Sequence, residues 1–506
     1  MRKSVSMLGF KIDEDPTDTV TTGFTGLLPY MDLWRRFDMP SVVDEMVHIC
    51  GSQGWMDRQM VESLVLLNLA GGDCITDMDR LEADAGLCRM FSRSQYSGMS
   101  RSSVKAAQAR FRSGRSRTFP AATQIATFLE ACHNEEEEGK RAKGIAFIPA
   151  PNEHLISLQK LNGCLVNTTQ QLKPCEVATL DGDATLIESQ LRSALPCYKG
   201  FLGFQPFNIW WAEQNMVVHS ELRDGNVPAG YDTLRVYKEA IAMLPESVKT
   251  VRVRQDTAGY KNEDMAWFDR AEEHPRFGRI EFTISADITQ EFRKAVSRVE
   301  IGGWSKEYKI RKGKPEPTGR EYAEVIFMSN EQALLSVDRA FRFIAIREKM
   351  GDQLSLLEVD TKKPPFPVIV LNNIQYKLHA IVTNREEPAD ELIKWHYQRC
   401  GKSEEAHSIM KTDFAGGQLP SQKFGANAAW WALMILSMNF HTMMKRFVLG
   451  DKWEKKRMKA VRFELITAPA RIVHHARQAY VRMSKPLQEW FFAIQAELTR
   501  FQPARI

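Results

Sequence analysis

The chain has 506 residues, which is too long for one ordinary hydrophobic core, so we expect two to four structural units. Its composition is 43% hydrophobic and 26% charged, which is typical of folded proteins and excludes an intrinsically disordered one. The 68 Lys and Arg residues against 63 Asp and Glu residues leave a net charge of +5, too small to identify a nucleic-acid-binding protein.

The eight cysteines and the apolar segments predict a cytoplasmic protein without membrane contact. No two cysteines have the C-x-x-C spacing, which argues against a zinc knuckle and a secreted disulfide framework. No long apolar stretch follows the early basic residues, so we expect no signal peptide. The most apolar run, Ala428–Phe440, is too short for a membrane span and predicts a buried helix.

Residues 25–135 show the apolar spacing of helices, for example in Ser41–Cys50 and Met56–Asn68. No Asp or Glu occurs between Ala85 and Leu129. Eight basic residues lie in this stretch: Arg89, Arg93, Arg101, Lys105, Arg110, Arg112, Arg115 and Arg117. A solvated helix face is the more common explanation of a charge run. The lack of any acidic residue favours phosphate contacts instead.

Beyond residue 144, strands and helices alternate, which predicts a mixed α/β arrangement. The predicted strands are Val177–Leu180, Phe207–Trp211, Met216–Leu222, Thr250–Arg254 and Arg279–Ile284, with helices at Tyr231–Met243 and Asp264–Glu273. A β-rich insertion follows, with strands predicted at Arg298–Ile301, Glu321–Met328, Phe341–Ile346 and Tyr376–Val382. Long helices are predicted over Pro388–Asp413 and Gly425–Phe447, and a basic helical tail from Asp451.

Two aspartates come where predicted strands end, which is where a sheet presents side chains to a ligand crevice. Asp183 comes after Val177–Leu180, and Asp256 comes after Thr250–Arg254. One aspartate after a strand is most often a turn or capping residue, so each is weak evidence alone. Asp181 is an alternative to Asp183, because residues two apart in a strand share a face.

A third acidic residue has helical spacing to two other polar residues. Tyr397, Glu404 and Lys411 are seven residues apart, and seven helical steps return to within about 20° of the same face. A glutamate on that face can complete a carboxylate triad, and the lysine two turns further on can contact a phosphate. The alternative is a solvated stripe that has this spacing by chance.

Three blocks together resemble the insertion-sequence DDE transposases that carry a Y-x(2)-R-x(3)-E-x(6)-K signature. The blocks are Leu180-Asp-Gly-Asp-Ala-Thr185, Val251-Arg-Val-Arg-Gln-Asp256-Thr-Ala-Gly-Tyr260 and Tyr397-Gln-Arg-Cys-Gly-Lys-Ser-Glu404-Glu-Ala-His-Ser-Ile-Met-Lys411. They occur in the family's order, each with its expected secondary structure. Asp183 is preferred over Asp181 because Thr185 completes the family's D-x-T motif.

The signature arginine is displaced in this sequence. Cys400 stands at its position, and Arg399 lies one step earlier, about 100° round a helix. Either a local bulge restores Arg399 to its place, or the role of the arginine is lost or passes to Lys402.

The resemblance implies an α/β fold with a ribonuclease-H-like mixed-sheet core, interrupted by the β-rich insertion, and with helical N- and C-terminal regions. The expected organisation is a DNA-binding and dimerisation region (1–172), the catalytic core (173–295 and 387–447), the insertion (296–386) and a C-terminal region (448–506). Asp183, Asp256 and Glu404 would hold two Mg²⁺ ions, replaceable by Mn²⁺, for endonuclease cleavage and strand transfer.

The resemblance also implies DNA partners. A homodimer in the bacterial cytoplasm, nucleoid-associated when bound, would hold double-stranded DNA as terminal inverted repeats and target DNA. Tyr397, Arg399 and Lys411 would contact phosphates near the scissile bond, and the basic stretch would hold the ends. Trp304 is a candidate to stack on a flipped base of a hairpin intermediate, although a tryptophan in a β region is more often a core residue.

Two other classes of protein stay open as alternatives. A catalytically inactive, domesticated DNA-binding regulator would keep the same fold; the three carboxylates argue against it, whereas Cys400 leaves it open. A glycoside hydrolase also uses paired carboxylates, but it has no use for an acid-free basic segment.

Overall fold

A computed structural model describes residues 5–7, 10–12, 20–111, 114–311, 313–329, 340–350, 366–475 and 478–501, the first two segments for their backbone only. Arg112, one of the predicted DNA contacts, lies outside these residues. In the described part of the chain, no helix combines the length and apolar character that crossing a bilayer requires.

The strands are β1 (Val5–Met7), β2 (Phe10–Ile12), β3 (Val20–Thr22), β4 (Val177–Ala184), β5 (Ile187–Glu188), β6 (Leu195–Pro196), β7 (Leu202–Phe204), β8 (Phe207–Trp211), β9 (Met216–Glu221), β10 (Thr250–Gln255), β11 (Glu281–Ser285), β12 (Ser305–Arg311), β13 (Lys314–Val325), β14 (Arg342–Lys349), β15 (Val368–Leu371), β16 (Ile374–Thr383), β17 (Ala470–His475) and β18 (Gln478–Arg482).

The α-helices are Leu27–Arg36, Met39–Met46, Asp57–Ala70, Met78–Ala83, Ala85–Gln95, Arg101–Ala109, Ala122–Glu130, Glu135–Glu138, Glu153–Leu172, Thr233–Ala242, Asn262–Asp269, Gln290–Ser297, Ala389–Tyr397, Lys402–Asp413, Phe424–Met444, Asp451–Glu454, Met458–Val461 and Lys485–Leu498.

One large mixed sheet forms the centre of the molecule, in the order β12-β13-β14-β16-β11-β10-β4-β8-β9, with β15 also paired to β16. β4, β10 and β11 are parallel, whereas β8 runs antiparallel to β4 and β9 runs antiparallel to β8. The β-rich segment 296–386 pairs with β11 through β16, so its strands continue the sheet. The prediction of a strand at Arg298–Ile301 is wrong, because a helix ending at Ser297 and a 3₁₀ turn at Ile301–Gly303 occupy this region.

The helix Phe424–Met444 is buried on nearly every side, as its continuous apolar sequence predicts. It packs against the helices Glu153–Leu172 and Asp57–Ala70 and against β9. The buried polar side chain of Asn439 in this helix has hydrogen-bond partners. It accepts a hydrogen bond from the Val217 N–H and donates to Asn162 Oδ1. The helix therefore joins the N-terminal helices to the central sheet.

The C-terminal tail is only partly helical, so the prediction of a helical tail from Asp451 is wrong for Ala470–His475 and Gln478–Arg482. There β17 and β18 form a hairpin, and β17 also pairs with β3 from the N-terminal region. The sequence of β17 alternates buried Ala470 and Ile472 with exposed residues, which is the two-residue period of a strand.

Candidate active site

β4 positions the first pair of acidic residues at the middle of the sheet. The strand runs on to Ala184, so Asp181 and Asp183 lie within it and share one face. Gly182 separates them, and a Cβ at this position would collide with the Tyr237 hydroxyl group behind the strand. The sequence Asp-Gly-Asp therefore places two carboxylates on the open face and leaves room for a tyrosine on the other.

Asp181 is part of a buried ion pair. The Arg254 Nε and Nη2 donate to its two carboxylate oxygens at 2.7 Å each, and both side chains are almost inaccessible. The third nitrogen of Arg254 donates to the Trp395 carbonyl oxygen at 2.8 Å. This fork ties β4 and β10 to the helix Ala389–Tyr397 and occupies both oxygens of Asp181.

Asp183 lies two residues further on, and its carboxylate is 23% exposed. Its Oδ1 accepts a hydrogen bond from the Ala184 N–H. Burial, together with the carboxylates of Asp256 and Glu404, raises the pKa of Asp183 to about 6, although Arg399 and the Ala184 N–H oppose the rise. Asp256 and Glu404 of the predicted triad therefore both act electrostatically on Asp183.

Asp256 lies directly after β10 and caps a 3₁₀ turn at Thr257–Gly259, where its Oδ1 accepts from the Ala258 N–H. Its side chain is 47% exposed. Because β10 is parallel to β4 and adjacent to it, the strand ends bring Asp256 to the same edge as Asp183.

The predicted helix Pro388–Asp413 is in fact two helices, which corrects the prediction that Tyr397 and Glu404 share one helix face. The first helix ends at Tyr397 and the second begins at Lys402. Gly401 lies between them with φ +79°, a conformation that glycine adopts without strain. Glu404 and Lys411 remain on one helix, which we call the Glu404 helix (Lys402–Asp413).

This break directs Arg399 into the site. Its Nη2 lies 3.4 Å from Asp183 Oδ2 and 3.9 Å from Asp256 Oδ2, with the side chain 9% exposed. Its Nε is buried without a hydrogen-bond partner among the described residues. A local irregularity of the chain thus brings Arg399 between the two aspartates despite its displacement in the signature.

The helix Ala389–Tyr397 is anchored by His396, whose ring nitrogens hydrogen-bond the hydroxyls of Thr283 and Ser285 on β11. Burial, with the charges of Arg399 and Arg254, lowers the pKa of His396 to about 3, so the ring is neutral. These hydrogen bonds fix the end of the helix on β11 and therefore the position of the Arg399 backbone two residues later.

The Glu404 helix presents an exposed Glu404 in its first turn. His407, one turn on, is buried with its pKa lowered to about 4 by burial, and its Nε2 lies 3.5 Å from Asn208 Nδ2. Lys411 donates to the Leu186 carbonyl oxygen at 3.4 Å. Burial and the neighbouring Lys199 lower the pKa of Lys411.

The carboxylates are arranged more openly than a closed metal cage. Among the described residues, the group of three acidic or histidine ligands that meets within 4.8 Å is His219, Glu221 and Glu239, away from the predicted triad. Arg235 pairs with both glutamates of that cluster, so it is a neutralised ion-pair network. At the triad, Arg399 supplies the positive charge between Asp183 and Asp256.

The predicted DNA contacts in the basic stretch divide into two groups. Arg101 and Lys105 are exposed. Arg110 donates to the carbonyl oxygens of Gly51, Gly54 and Trp55. Arg115 and Arg117 likewise bind within the molecule, Arg115 to Gln95 and Thr118 and Arg117 to Asp79.

Trp304 of the insertion is half-buried, and the guanidinium of Arg347 covers its ring at 3.9 Å. Tyr397 is half-buried too, with the Arg320 guanidinium 5.3 Å from its ring centre. Burial raises the pKa of Tyr397 to about 12, so its hydroxyl stays protonated at neutral pH.

Sequence reasoning missed the Asp181–Arg254 fork and the Asn208–His407 contact. Arg252 and Arg254 alternate with valines in a predicted strand, and whichever arginine the sheet buries needs a buried partner for its charge. Nothing in the local sequence identifies Asn208 as a neighbour of Asp183, since their pairing depends on the register of β4 and β8.

Asp183 and Asp256 lie at one edge of the sheet, and with Glu404 on the Glu404 helix they offer hard oxygen donors of the kind that divalent cations prefer. The family model "Transposase DDE domain group 1" matches residues 52–503. The chain belongs to the DDE transposase family.

Two further comparisons were made with known proteins. No curated protein matches the sequence significantly. Among solved structures, the chain is similar to a piggyBac transposase in a synaptic complex with hairpin DNA, at 8% identity and a TM-score of 0.41, over 96% of this chain and 86% of that one.

Proposed function

We propose that the protein is a cut-and-paste DNA transposase that cleaves the ends of its mobile element and joins them to target DNA. The observation that carries the proposal is the sheet edge shared by Asp183 and Asp256, with Glu404 and Asp256 both acting on the pKa of Asp183. Membership of the DDE transposase family supports the same function.

The strand order supports a ribonuclease-H-like core. β4, which carries Asp183, is central in the run β9-β8-β4-β10-β11, and β10 beside it leads to Asp256. In this proposal the core comprises 173–295 and 387–447, between the regions 1–172 and 448–506. The insertion 296–386 extends the core sheet through the pairing of β16 with β11.

Asp183, Asp256 and Glu404 would hold two Mg²⁺ ions, or Mn²⁺ in their place. Their oxygens are the ligands that Mg²⁺ prefers. Burial and the neighbouring carboxylates raise the pKa of Asp183, and a bound cation would relieve this destabilisation of its ionised form. When bound, such a pair of ions activates the attacking oxygen and stabilises the leaving oxygen of a phosphodiester.

Arg399 and Lys411 would bind the phosphates on either side of the cleaved bond. Arg399 contacts both aspartates. When metal ions neutralise these carboxylates, its guanidinium would be able to bind a phosphate oxygen instead. Lys411 has only a carbonyl oxygen as its hydrogen-bond acceptor among the described residues, which leaves donors for a phosphate.

A homodimer would hold the terminal repeats through the exposed part of the basic stretch, including Arg101 and Lys105. The loops that carry this surface would be held in place by the hydrogen bonds of Arg110, Arg115 and Arg117. If the reaction passes through a hairpin, Trp304 would stack on a flipped base only after Arg347 leaves its ring.

A nicking assay separates this function from a non-catalytic DNA-binding regulator. Purified protein is incubated with supercoiled plasmid that carries the element's ends, in Mg²⁺ or Mn²⁺. We expect nicking by the wild type, and none by Glu404→Gln although end binding persists. Binding of the ends without nicking by the wild type in either metal would favour the regulator.

A further inference from the structure

We infer that the outer part of the β12–β13 pair is a second DNA-binding element, which holds the duplex beside the catalytic carboxylates. We call this element the ribbon, defined as Tyr308–Arg311 of β12 and Lys314–Pro317 of β13. The inference rests on the proposed function, because it takes the partner to be the DNA that the triad would cleave.

The ribbon projects beyond the rest of the sheet. β14 pairs with β13 only from Arg320 to Val325, whereas β12 pairs with it as far as Lys314. In the described part of the chain, residues 314–319 therefore have β12 as their single neighbouring strand. The register shifts between Lys306 and Tyr308, which marks a bulge where the ribbon leaves the sheet.

The two faces of the ribbon have different chemistry, because residues directly opposite in an antiparallel pair share a face. Tyr308 lies opposite Pro317 and Ile310 opposite Pro315, which makes one face apolar. Tyr308 is 45% and Ile310 72% exposed. Two projecting apolar side chains on a strand pair are informative, since a strand that only ends a sheet would carry polar residues there.

The opposite face is basic. Lys309 lies opposite Glu316 and Arg311 opposite Lys314, and the three cations are exposed. Arg311 lies 3.8 Å from Glu316. Lys309 and Lys314 form no ion pair within 4 Å with any described residue, so the face carries an excess of positive charge that a polyanion would neutralise.

The two prolines argue against a protein strand as the partner along β13. Pro315 and Pro317 lie on β13, whose side away from β12 is left open where β14 ends. Proline has no N–H to donate, so this edge cannot form a regular ladder with a further strand. Duplex DNA makes no such demand, and its major groove accommodates a two-stranded β-ribbon.

A chain of contacts links β13, next to the ribbon, to Arg399 of the proposed active site. The Arg320 guanidinium covers the Tyr397 ring and lies 3.6 Å from Glu348 and 3.9 Å from Glu307. Tyr397 ends the helix that leads within two residues to Arg399, which contacts Asp183 and Asp256. A duplex that passes over the aspartates towards Tyr397 would therefore reach the ribbon.

The chemistry of the two faces assigns their contacts with the duplex. Tyr308 and Ile310 would meet the apolar edges of bases and sugars in a groove, as apolar side chains of architectural proteins do. Lys309, Arg311 and Lys314 have long stems that let their charged ends reach the phosphates at the groove walls.

The test measures binding of a mixed-sequence DNA duplex as a function of salt concentration. The basic variant is Lys309→Ala with Lys314→Ala, and the apolar variant is Ile310→Ser. The control is Lys160→Ala with Lys238→Ala, exposed lysines on helices that pack on β9 at the other edge of the sheet. Thermal melting checks that each variant is folded.

We expect the basic variant to reduce the slope of log affinity against log salt by about two, roughly one for each lost phosphate contact. The apolar variant should weaken binding severalfold and leave the slope unchanged. A basic variant with the slope of the wild type and of the control would overturn the inference. So would a change of oligomeric state in Ile310→Ser with normal DNA binding, because the ribbon would then be a protein interface.

The same variants distinguish failure of this inference from failure of the proposed function. Wild-type protein that nicks plasmid while the ribbon variants bind normally would refute the ribbon alone. A ribbon-dependent salt slope in a wild-type protein that never nicks would refute the catalytic function and leave the ribbon as a DNA-binding element.

Discussion

Asp181 and Asp183 are two residues apart on one strand face, yet their surroundings differ. Asp181 has both oxygens held by Arg254, whereas Asp183 is partly exposed and crowded by Asp256 and Glu404. This difference supports Asp183 as the metal ligand and Asp181 as part of the scaffold. Each assignment has a consequence for stability that can be measured.

Asp183→Asn should stabilise the metal-free protein at neutral pH. Burial raises the pKa of Asp183 from 3.8 to about 6, so the folded protein holds this proton more tightly than the unfolded chain. That contribution to stability is complete below about pH 4 and is lost as the pH rises through 6. The variant avoids the loss, so its free energy of unfolding at pH 7.5 should exceed that of the wild type by about 1–3 kcal/mol.

Thermal or denaturant unfolding at pH 4.5 and pH 7.5 checks this, with the difference expected to shrink at the lower pH. Added Mg²⁺ should raise the melting temperature of the wild type more than that of the variant. A variant less stable than the wild type at pH 7.5 would show that the ionised carboxylate has a favourable partner that this account omits.

Asp181→Asn should have the opposite effect. It leaves the Arg254 guanidinium, which is 2% exposed, without its counter-charge, and breaking a buried pair in this way costs about 3–5 kcal/mol. The control is Glu176→Gln, directly before β4, which removes the exposed partner of Lys249 and should cost less than about 1 kcal/mol. If Asp181→Asn were as stable as the wild type but no longer bound metal, Asp181 would replace Asp183 as the metal ligand on β4.

At the scale of the elements, β4 depends on the close approach of Gly182 to the helix Thr233–Ala242. A methyl group at Gly182 would meet the Tyr237 hydroxyl and lie 2.9 Å from its Cζ. Tyr237 is buried, and its hydroxyl has no hydrogen-bond partner among the described residues. At this point the strand is therefore positioned by close van der Waals packing between Gly182 and Tyr237, without a hydrogen bond from the Tyr237 hydroxyl.

Gly182→Ala should destabilise the protein by about 1–3 kcal/mol through overpacking. Tyr237→Phe alone should be nearly neutral, because its hydroxyl makes no hydrogen bond that would be lost. The double variant should recover part of the loss, since the Cζ contact remains. A double-mutant cycle from unfolding curves measures this, and strictly additive effects would contradict the contact.

The elements also show what sequence could and could not predict. β4, β8, β9 and β10 were predicted to within a few residues, because their apolar runs and bounding polar residues are local signals. The break at 398–401 was not predicted as such: the segment has helical composition, and the interruption depends on Gly401 and on the anchoring of His396 to β11. The hairpin β17–β18 was missed because its partner β3 lies at the other end of the chain.

On the scale of the whole molecule, one hydrophobic core extends from Leu27 to Leu498 and includes the helix Phe424–Met444. The predicted regions 1–172 and 448–506 therefore pack onto the same core as the catalytic strands. Short motifs in the sequence predict Asp183, Asp256 and Glu404 as the site, and this assignment stays a prediction. The sequence could not predict the distances between these acidic side chains in the folded protein or the position of Arg399, because both follow from how the whole core packs.

The most direct test of the account is the position of the metal in the folded protein. Fe²⁺ is exchanged into the site in place of Mg²⁺, and peroxide with ascorbate then cleaves the backbone near the ion; fragments are identified by mass spectrometry. The account predicts cuts clustered near Asp183, Asp256 and Glu404, suppressed by excess Mg²⁺ and absent in Asp183→Asn. Cuts near His219 and Glu239 instead, unchanged in that variant, would contradict it.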